Sequence, residues 1–416
     1  MSVKKINSCR LCNSKRLIKI VDFGKIALGN NLQSSYKKSL EVKKYNLSLY
    51  NCKNCNHFQL SKSVSPKILY QTNYTYLTGI SKTFKNHFKN YSIWLEKKTN
   101  SNKNKFKTIL DIGSNDGTCL SFFKKKGFEV LGVDPAYSPS QIANKNNIKT
   151  INNFFTFKVS SQILDDYGQF DLITSHNVLA HIDNIRETFT SIYNCLKFNG
   201  YFCFEIGYFR EVLKKNLFDT IYHEHLDYHH ANPLCNFLNK VGFSVKSLSV
   251  NSIQGGSLRI LCKKEKNVIN SKQVVQFQLN EKKSFLYNQK YLKSWQINIT
   301  NKMNLFGNII KSYDKQKFLK VGYGSPTKIV LLMKLSNLNK NDIEFVFEDN
   351  TLKINRFLPT TGIKINKLSN KYMRKPLLVS VFAWNFLEEI VSKLKIILPS
   401  GSIIICPLPK LKIIKL

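Results

Sequence analysis

Thr108-Ile-Leu-Asp-Ile-Gly-Ser-Asn-Asp-Gly-Thr118 is the stretch whose reading decides the fold. A short apolar strand, Thr108–Ile112, runs into a turn containing Gly113 and Gly117. Glycine accepts positive φ and lets backbone come close to a ligand, so this reads as a ligand-side turn at the end of a parallel strand. Working outward, Val130–Val133, Leu172–Ser175 and Tyr201–Ile206 are further strands, and Ile185–Leu196 is an amphipathic helix between them. That alternation predicts a parallel sheet wrapped by helices. Ser257–Cys262 reads as one more strand. Asn267–Asn308 is polar with helical spacing and no clear core face, a linking helix or helical pair. A second alternating block follows, with strands at Phe318–Val321, Glu344–Phe347, Leu377–Phe382 and Ser402–Cys406 and helices at Lys328–Leu335 and Phe386–Leu394.

The chain has 416 residues, of which 43% are hydrophobic and 12% aromatic, which excludes disorder for the chain as a whole. Its formal charge is +38, from 64 basic and 26 acidic residues. Nucleic acid or an anionic membrane is the obvious partner for such a balance. Yet the bases are almost all Lys, accompanied by abundant Asn and scattered along the chain, as AT-rich codon usage would produce. Met1 to Arg16 carries no apolar signal core, and the longest apolar stretch, Pro376–Leu387, is short of the ~20 residues a bilayer needs. The expectation is a soluble, cytoplasmic protein whose ten Cys are thiols or metal ligands.

Three motifs carry chemistry. Cys9-Arg-Leu-Cys12 and Cys52-Lys-Asn-Cys55, with 39 residues between the pairs, supply four thiolates suited to tetrahedral Zn²⁺ in a closed, structural site. Cys119, Cys195, Cys203, Cys235, Cys262 and Cys406 sit singly in apolar contexts and read as packed hydrophobes. In the glycine turn, Asp134 lies 21 residues past Gly113, where an acidic residue meets a ribose diol. A dinucleotide fold would want G-x-G-x-x-G, which is absent; Asp111-Ile-Gly113 supplies the acidic-x-Gly turn that a methyltransferase fold wants. Asn177, ending the third strand, is a cofactor contact or a turn residue, and Glu205, ending the next, points toward the same cleft. The third motif is Tyr222-His-Glu-His225, followed by Asp227-Tyr-His-His230. Tyr222, Glu224 and His225 could supply acid, base and orienter, although a second metal site or packing would use the same residues.

Together, the double CxxC, the Ser-Asn-Asp-Gly turn, Asn177-Val-Leu-Ala-His181, the Tyr-His-Glu-His run, Gly255-Gly-Ser-Leu-Arg259, Gly322-Tyr-Gly324 and Ala383-Trp-Asn385 resemble one family, in order, over nearly the whole chain. It is the nucleotide-sugar C-methyltransferases, typified by the 3-C-methyltransferases of branched deoxysugars. The resemblance implies an α/β architecture of three domains: a zinc-binding domain (1–68), a class I S-adenosyl-L-methionine-dependent methyltransferase domain (69–265) and a C-terminal Rossmann-like domain that holds the nucleotide-sugar (266–416). It implies a thymidine-diphosphate 4-keto-deoxysugar as substrate, His225 as base, and Tyr222, Glu224 and Tyr76 beside it. The glycine turn and the strand ends place Asp111, Gly113, Asn115, Gly117, Asp134 and Asn177 around the cofactor. Gln254 stands where the family usually has His, Ser325-Pro326 where it has Ala, and Asp134 where it often has Glu. A sugar O-methyltransferase and a zinc-knuckle nucleic-acid methyltransferase or binding protein are the rival readings.

Overall fold

A computed structural model describes residues 3–71, 77–80, 82–99 and 107–416. The strands are β1 (Val3–Lys5), β2 (Leu17–Ala27), β3 (Lys44–Cys52), β4 (Phe58–Leu60), β5 (Lys62–Val64), β6 (Thr108–Ile112), β7 (Glu129–Val133), β8 (Thr150–Ile151), β9 (Phe170–His176), β10 (Leu196–Gly207), β11 (Asp227–Tyr228), β12 (Phe243–Asn251), β13 (Ser257–Lys264), β14 (Leu319–Tyr323), β15 (Phe345–Phe347), β16 (Lys364–Asn366), β17 (Leu377–Val381), β18 (Ile403–Cys406) and β19 (Lys412–Lys415).

The central sheet has seven strands in the order β12-β13-β10-β9-β6-β7-β8. β8, β7, β6, β9 and β10 pair in parallel, and β13 enters antiparallel to β10. The chain order reverses between β6 and β9, so the crevice at their C-terminal ends is where a ligand belongs in such a sheet. Gly113 and Asn177 follow those two strand ends directly. β6 and β9 are buried almost throughout, which is why they read as continuous apolar runs rather than alternating ones. The helix Ile185–Cys195 starts where predicted. Asn184 caps it by accepting from the Glu187 backbone N–H, Glu187 answers the Asn184 side chain, and Ile185, Phe189 and Ile192 face the sheet.

The first 70 residues hold a twisted antiparallel sheet that the sequence did not announce. β2, β3 and β4 form it, and β11, from within the expected methyltransferase segment, adds the edge strand at β4. β2 and β3 carry register shifts at Lys19/Val21 and Asp22/Lys25. Each shift moves the buried face by a residue, so no steady two-residue alternation survives.

The linking region is two helices, Lys272–Lys282 and Gln289–Ser312. The second does have a core face: Leu292, Trp295, Ile299, Met303, Phe306 and Ile310 are buried at three- and four-residue spacing. It packs on β2 and on the helix Ile329–Leu335, and one continuous core runs from the N-terminal sheet through this helix into the C-terminal part. Gly307 makes the approach possible, since a Cβ there would fall 2.0 Å from the Ser336 carbonyl oxygen. The C-terminal sheet runs β16-β15-β14-β17-β18-β19, parallel except for the last strand. The six single Cys are buried and unbridged, as expected of packed thiols. No helix among the described residues is long and apolar enough to cross a membrane.

Candidate active site and metal centre

The four knuckle cysteines converge, with all sulfurs within 4.8 Å of one another. Cys9 and Cys55 sulfurs are 3.5 Å apart, and Cys12 and Cys52 sulfurs 3.6 Å. Sulfurs ~2.3 Å from a tetrahedral zinc lie ~3.8 Å from one another, so the donor set fits a structural Zn²⁺. Between the first two ligands, Arg10 turns inward. Its Nε donates to both oxygens of Asp227 at 2.9 Å, and its Nη atoms reach the carbonyls of Asp183, at 3.0 Å, and Ile182. Arg186 returns hydrogen bonds to the carbonyls of Arg10 and Leu11. The zinc knuckle is therefore fastened to the segment that follows the Tyr-His-Glu-His run.

At the cofactor turn, Gly113 has φ +73°, and a Cβ there would meet Val178 at 2.1 Å. Gly117 also has positive φ and backs onto Ile148. Asp134 is buried; its oxygens accept from the backbone N–H of Asn115 at 2.9 Å and of Ala136 at 2.8 Å, and burial pushes its carboxyl up to about 6. The Asn115 side-chain oxygen accepts from the Thr78 amide and hydroxyl, and Asp116 accepts from the Gly79 amide. Asp111 lies beneath the turn with its carboxylate on the Thr174 hydroxyl. Asn177 sits at φ +56° with a buried Oδ1 that has no hydrogen-bond partner among the described residues. That orphaned acceptor suits an ammonium group, and a turn with room for backbone but not for Cβ suits the rest of S-adenosylmethionine. Gly113→Ala would add a strained φ, costing ~1–3 kcal/mol, and a collision with Val178. Titration calorimetry should show cofactor affinity weakened by at least ~10-fold, since ~1.4 kcal/mol is a factor of ten.

Val178 belongs to the loop Asn177–His181, which joins this turn to the histidine run. The Ala180 carbonyl accepts from the amides of Leu226 and Asp227, and His181 Nδ1 donates to the Glu224 carbonyl at 2.8 Å. In the run itself, His225 Nδ1 donates to the Thr220 carbonyl at 2.8 Å. That contact fixes the neutral tautomer, so Nε2 is an acceptor, and the Tyr222 hydroxyl donates to it at 2.8 Å. Desolvation, then the neighbouring His181 and Lys328, hold His225 well below its ordinary pKa. Glu224 is not part of the Tyr222–His225 hydrogen bond; its carboxylate takes one from the Asn30 amide at 2.8 Å, at a small cavity that Tyr222 also lines, and burial pushes its carboxyl up to about 7. His223 reaches the Tyr45 carbonyl, and His230 pairs with Glu281. These histidines do not converge as metal ligands among the described residues. Tyr76 lies outside the described residues.

Sequence reasoning missed several residues here. Lys328 comes from the C-terminal part and lies 2.8 Å from Asp219, with its ammonium 4.1 Å from the Trp384 ring centre. Trp384 Nε1 donates to the same Asp219 oxygen. The Ala383-Trp-Asn385 motif marked this contact without revealing its partner. Glu205 departs from expectation: its carboxylate is taken by His87 and Arg259, each at 2.6 Å, and by Asn251, rather than left to face the cleft. Arg259 stacks over Tyr91 and Trp94, which accounts for the arginine of Gly255-Gly-Ser-Leu-Arg259.

Three family models match in sequence order: "Putative zinc binding domain" over residues 9–70, "Methyltransferase domain" over 87–248 and "C-methyltransferase C-terminal domain" over 252–409. The chain is a C-methyltransferase. C-methyltransferase NovU of Streptomyces niveus is 25% identical over 413 residues, 99% of this chain and 98% of its own length. A solved S-adenosylmethionine-dependent methyltransferase from Clostridium acetobutylicum ATCC 824 covers 43% of this chain and 91% of its own, at 16% identity and a TM-score of 0.35. This C-methyltransferase is an S-adenosylmethionine-dependent enzyme with a zinc-binding domain at its N-terminal side.

Proposed function

We propose that the C-methyltransferase acts on a nucleotide-linked 4-keto-deoxysugar and methylates C3, the carbon beside the ketone, through an enolate. The observation that carries the reading is the Tyr222–His225 pair. A neutral imidazole presents Nε2, and a phenol stands at that nitrogen. A C3 hydrogen becomes removable only because the negative charge moves to the C4 oxygen, so the reaction needs a base and an oxygen-directed donor together. On substrate binding the Tyr222 hydroxyl turns its hydrogen to the C4 oxygen and frees Nε2. His225 takes the C3 proton, the C–H electron pair becomes the enolate, and Tyr222 stabilises its oxygen.

Bound S-adenosylmethionine supplies an electrophilic methyl on a sulfonium, so no metal is needed for the transfer. Gly113 and Gly117 would let it approach the backbone, Asn115 and Asp134 would hold its ribose side, Asn177 would accept from its ammonium, and Asp111 would brace the turn from below. His225 afterwards returns its proton to solvent. The four cysteines would hold zinc away from the chemistry. Lys328, set on Asp219 beside the run, supports a role for the C-terminal part in receiving an anionic nucleotide-sugar.

The test is mass spectrometry of the protein with S-adenosylmethionine and a panel of 4-keto-6-deoxy nucleotide-sugars, their C4-reduced forms and RNA. A gain of one methyl on carbon, confined to keto sugars, is expected. Methylation of a reduced sugar would move the reading to a hydroxyl oxygen, and methylation of RNA alone would overturn it.

A further inference from the structure

Glu224 is held through a relay of two side chains from distant parts of the chain. Asn30, in the loop after β2, donates through Nδ2 to Glu224 Oε1 at 2.8 Å. The other end of the same amide is engaged too, since the Thr327 hydroxyl donates to Asn30 Oδ1 at 2.8 Å. A carboxylate can only accept, so Glu224 takes the Nδ2 end of the amide, and the Thr327 hydroxyl, donating to Oδ1, holds the other end. The backbone leaves little slack, because a Cβ on Gly29 would fall 1.8 Å from the Thr327 carbonyl oxygen.

We propose that Asn30, oriented by Thr327, is a positioning residue that biases Glu224 toward its carboxylate form and holds it in place within the active site. The proposal rests on the reading that Glu224 works beside His225. An amide hydrogen favours the carboxylate over the acid, and it opposes the burial that pushes this carboxyl up to about 7. Other groups among the described residues also lie near Glu224. Lys353, whose ammonium donates to the Ser325 carbonyl, also favours the charged form. His181 touches only the Glu224 backbone carbonyl, through Nδ1, while His223 and Tyr222–His225 are turned to Tyr45 and to each other. Asn30 is thus a hydrogen-bonding partner of Glu224 that can be removed without altering a charge.

Infrared pH-difference spectra of the full-length protein read this without any substrate. The carboxylic-acid stretch of Glu224 is assigned by its loss in Glu224→Gln. Asn30→Ala and Thr327→Val should move its titration to higher pH, by about one unit for the alanine variant, and Asn30→Asp should move it further by setting two carboxylates together. The acid limb of the methyl-transfer rate should shift by the same amount, with the rate recovering at alkaline pH. An unshifted titration in both Asn30→Ala and Thr327→Val would overturn the proposal, and so would a rate lowered equally at every pH. Because the infrared titration needs no turnover, a protein that methylates no sugar would sink the substrate reading while leaving this result to stand or fall by itself.

Discussion

Replacing Arg10 with alanine is expected to cost about 3–5 kcal/mol of stability, the usual penalty for orphaning one member of a buried ion pair. Asp227 has no exposed side-chain surface and, among the described residues, would keep as hydrogen-bond partner only His57, which contacts it at 2.8 Å. Burial alone would push the Asp227 carboxyl up; the Arg10 charge and the His57 hydrogen bond outweigh it and hold the group down at about 2. A depressed folded pKa stabilises above the unfolded value of ~3.9 and loses that stabilisation as pH falls toward 2. The wild-type protein should therefore show an acid-labile component that the variant lacks. Urea denaturation at neutral pH and near pH 3, with zinc release followed by a metallochromic dye, would measure both effects. A loss below ~1 kcal/mol would mean that the pair behaves like an exposed one. Methyl transfer should fall with stability, because Asp227 lies two residues past the run it anchors.

His225→Asn is the second large effect. Asparagine keeps a donor for the Thr220 carbonyl but has no lone pair at the Nε2 position. Loss of a general base typically costs 10²–10⁴-fold in rate, so kcat should drop by about that factor while cofactor affinity is unchanged. A partial reaction isolates the step. In D₂O, without S-adenosylmethionine, the wild-type protein should exchange the C3 hydrogen of a keto sugar and His225→Asn should not. Exchange at the wild-type rate in the variant would remove His225 from the role of base.

The cofactor turn was legible because its signal is local. Gly113, Gly117 and Asp134 are spaced by one βαβ unit, and the fold needs their residue types wherever that unit occurs. The cysteine pairs were legible for a related reason, since thiolates at that spacing have few other uses. The N-terminal sheet escaped because two bulges in β2, where it pairs with β3, break the alternation that betrays a strand. The helix Gln289–Ser312 was read as lacking a face because Lys and Asn fill the positions between its buried residues. The supports of the active site left no local trace at all. Arg10 meets Asp227 across 217 residues, and Asn30 meets Glu224 across 194. An asparagine in a polar loop looks like any other until the chain folds back on it.

The segment Asp219–Asp227 is gripped by Arg10 and Asn30 from the beginning of the chain and by Lys328 and Trp384 from near its other end. That imposes a schedule on biosynthesis. Chains fold as they emerge, the N-terminal part first. The zinc knuckle and the glycine turn leave the ribosome well before Thr327, so Glu224 meets Asn30 while the amide is still free to rotate. Only when Trp384 has cleared the exit tunnel does Asp219 receive both of its partners. A nascent enzyme would thus be able to hold its methyl donor for many seconds before it acquired the finished geometry to spend it.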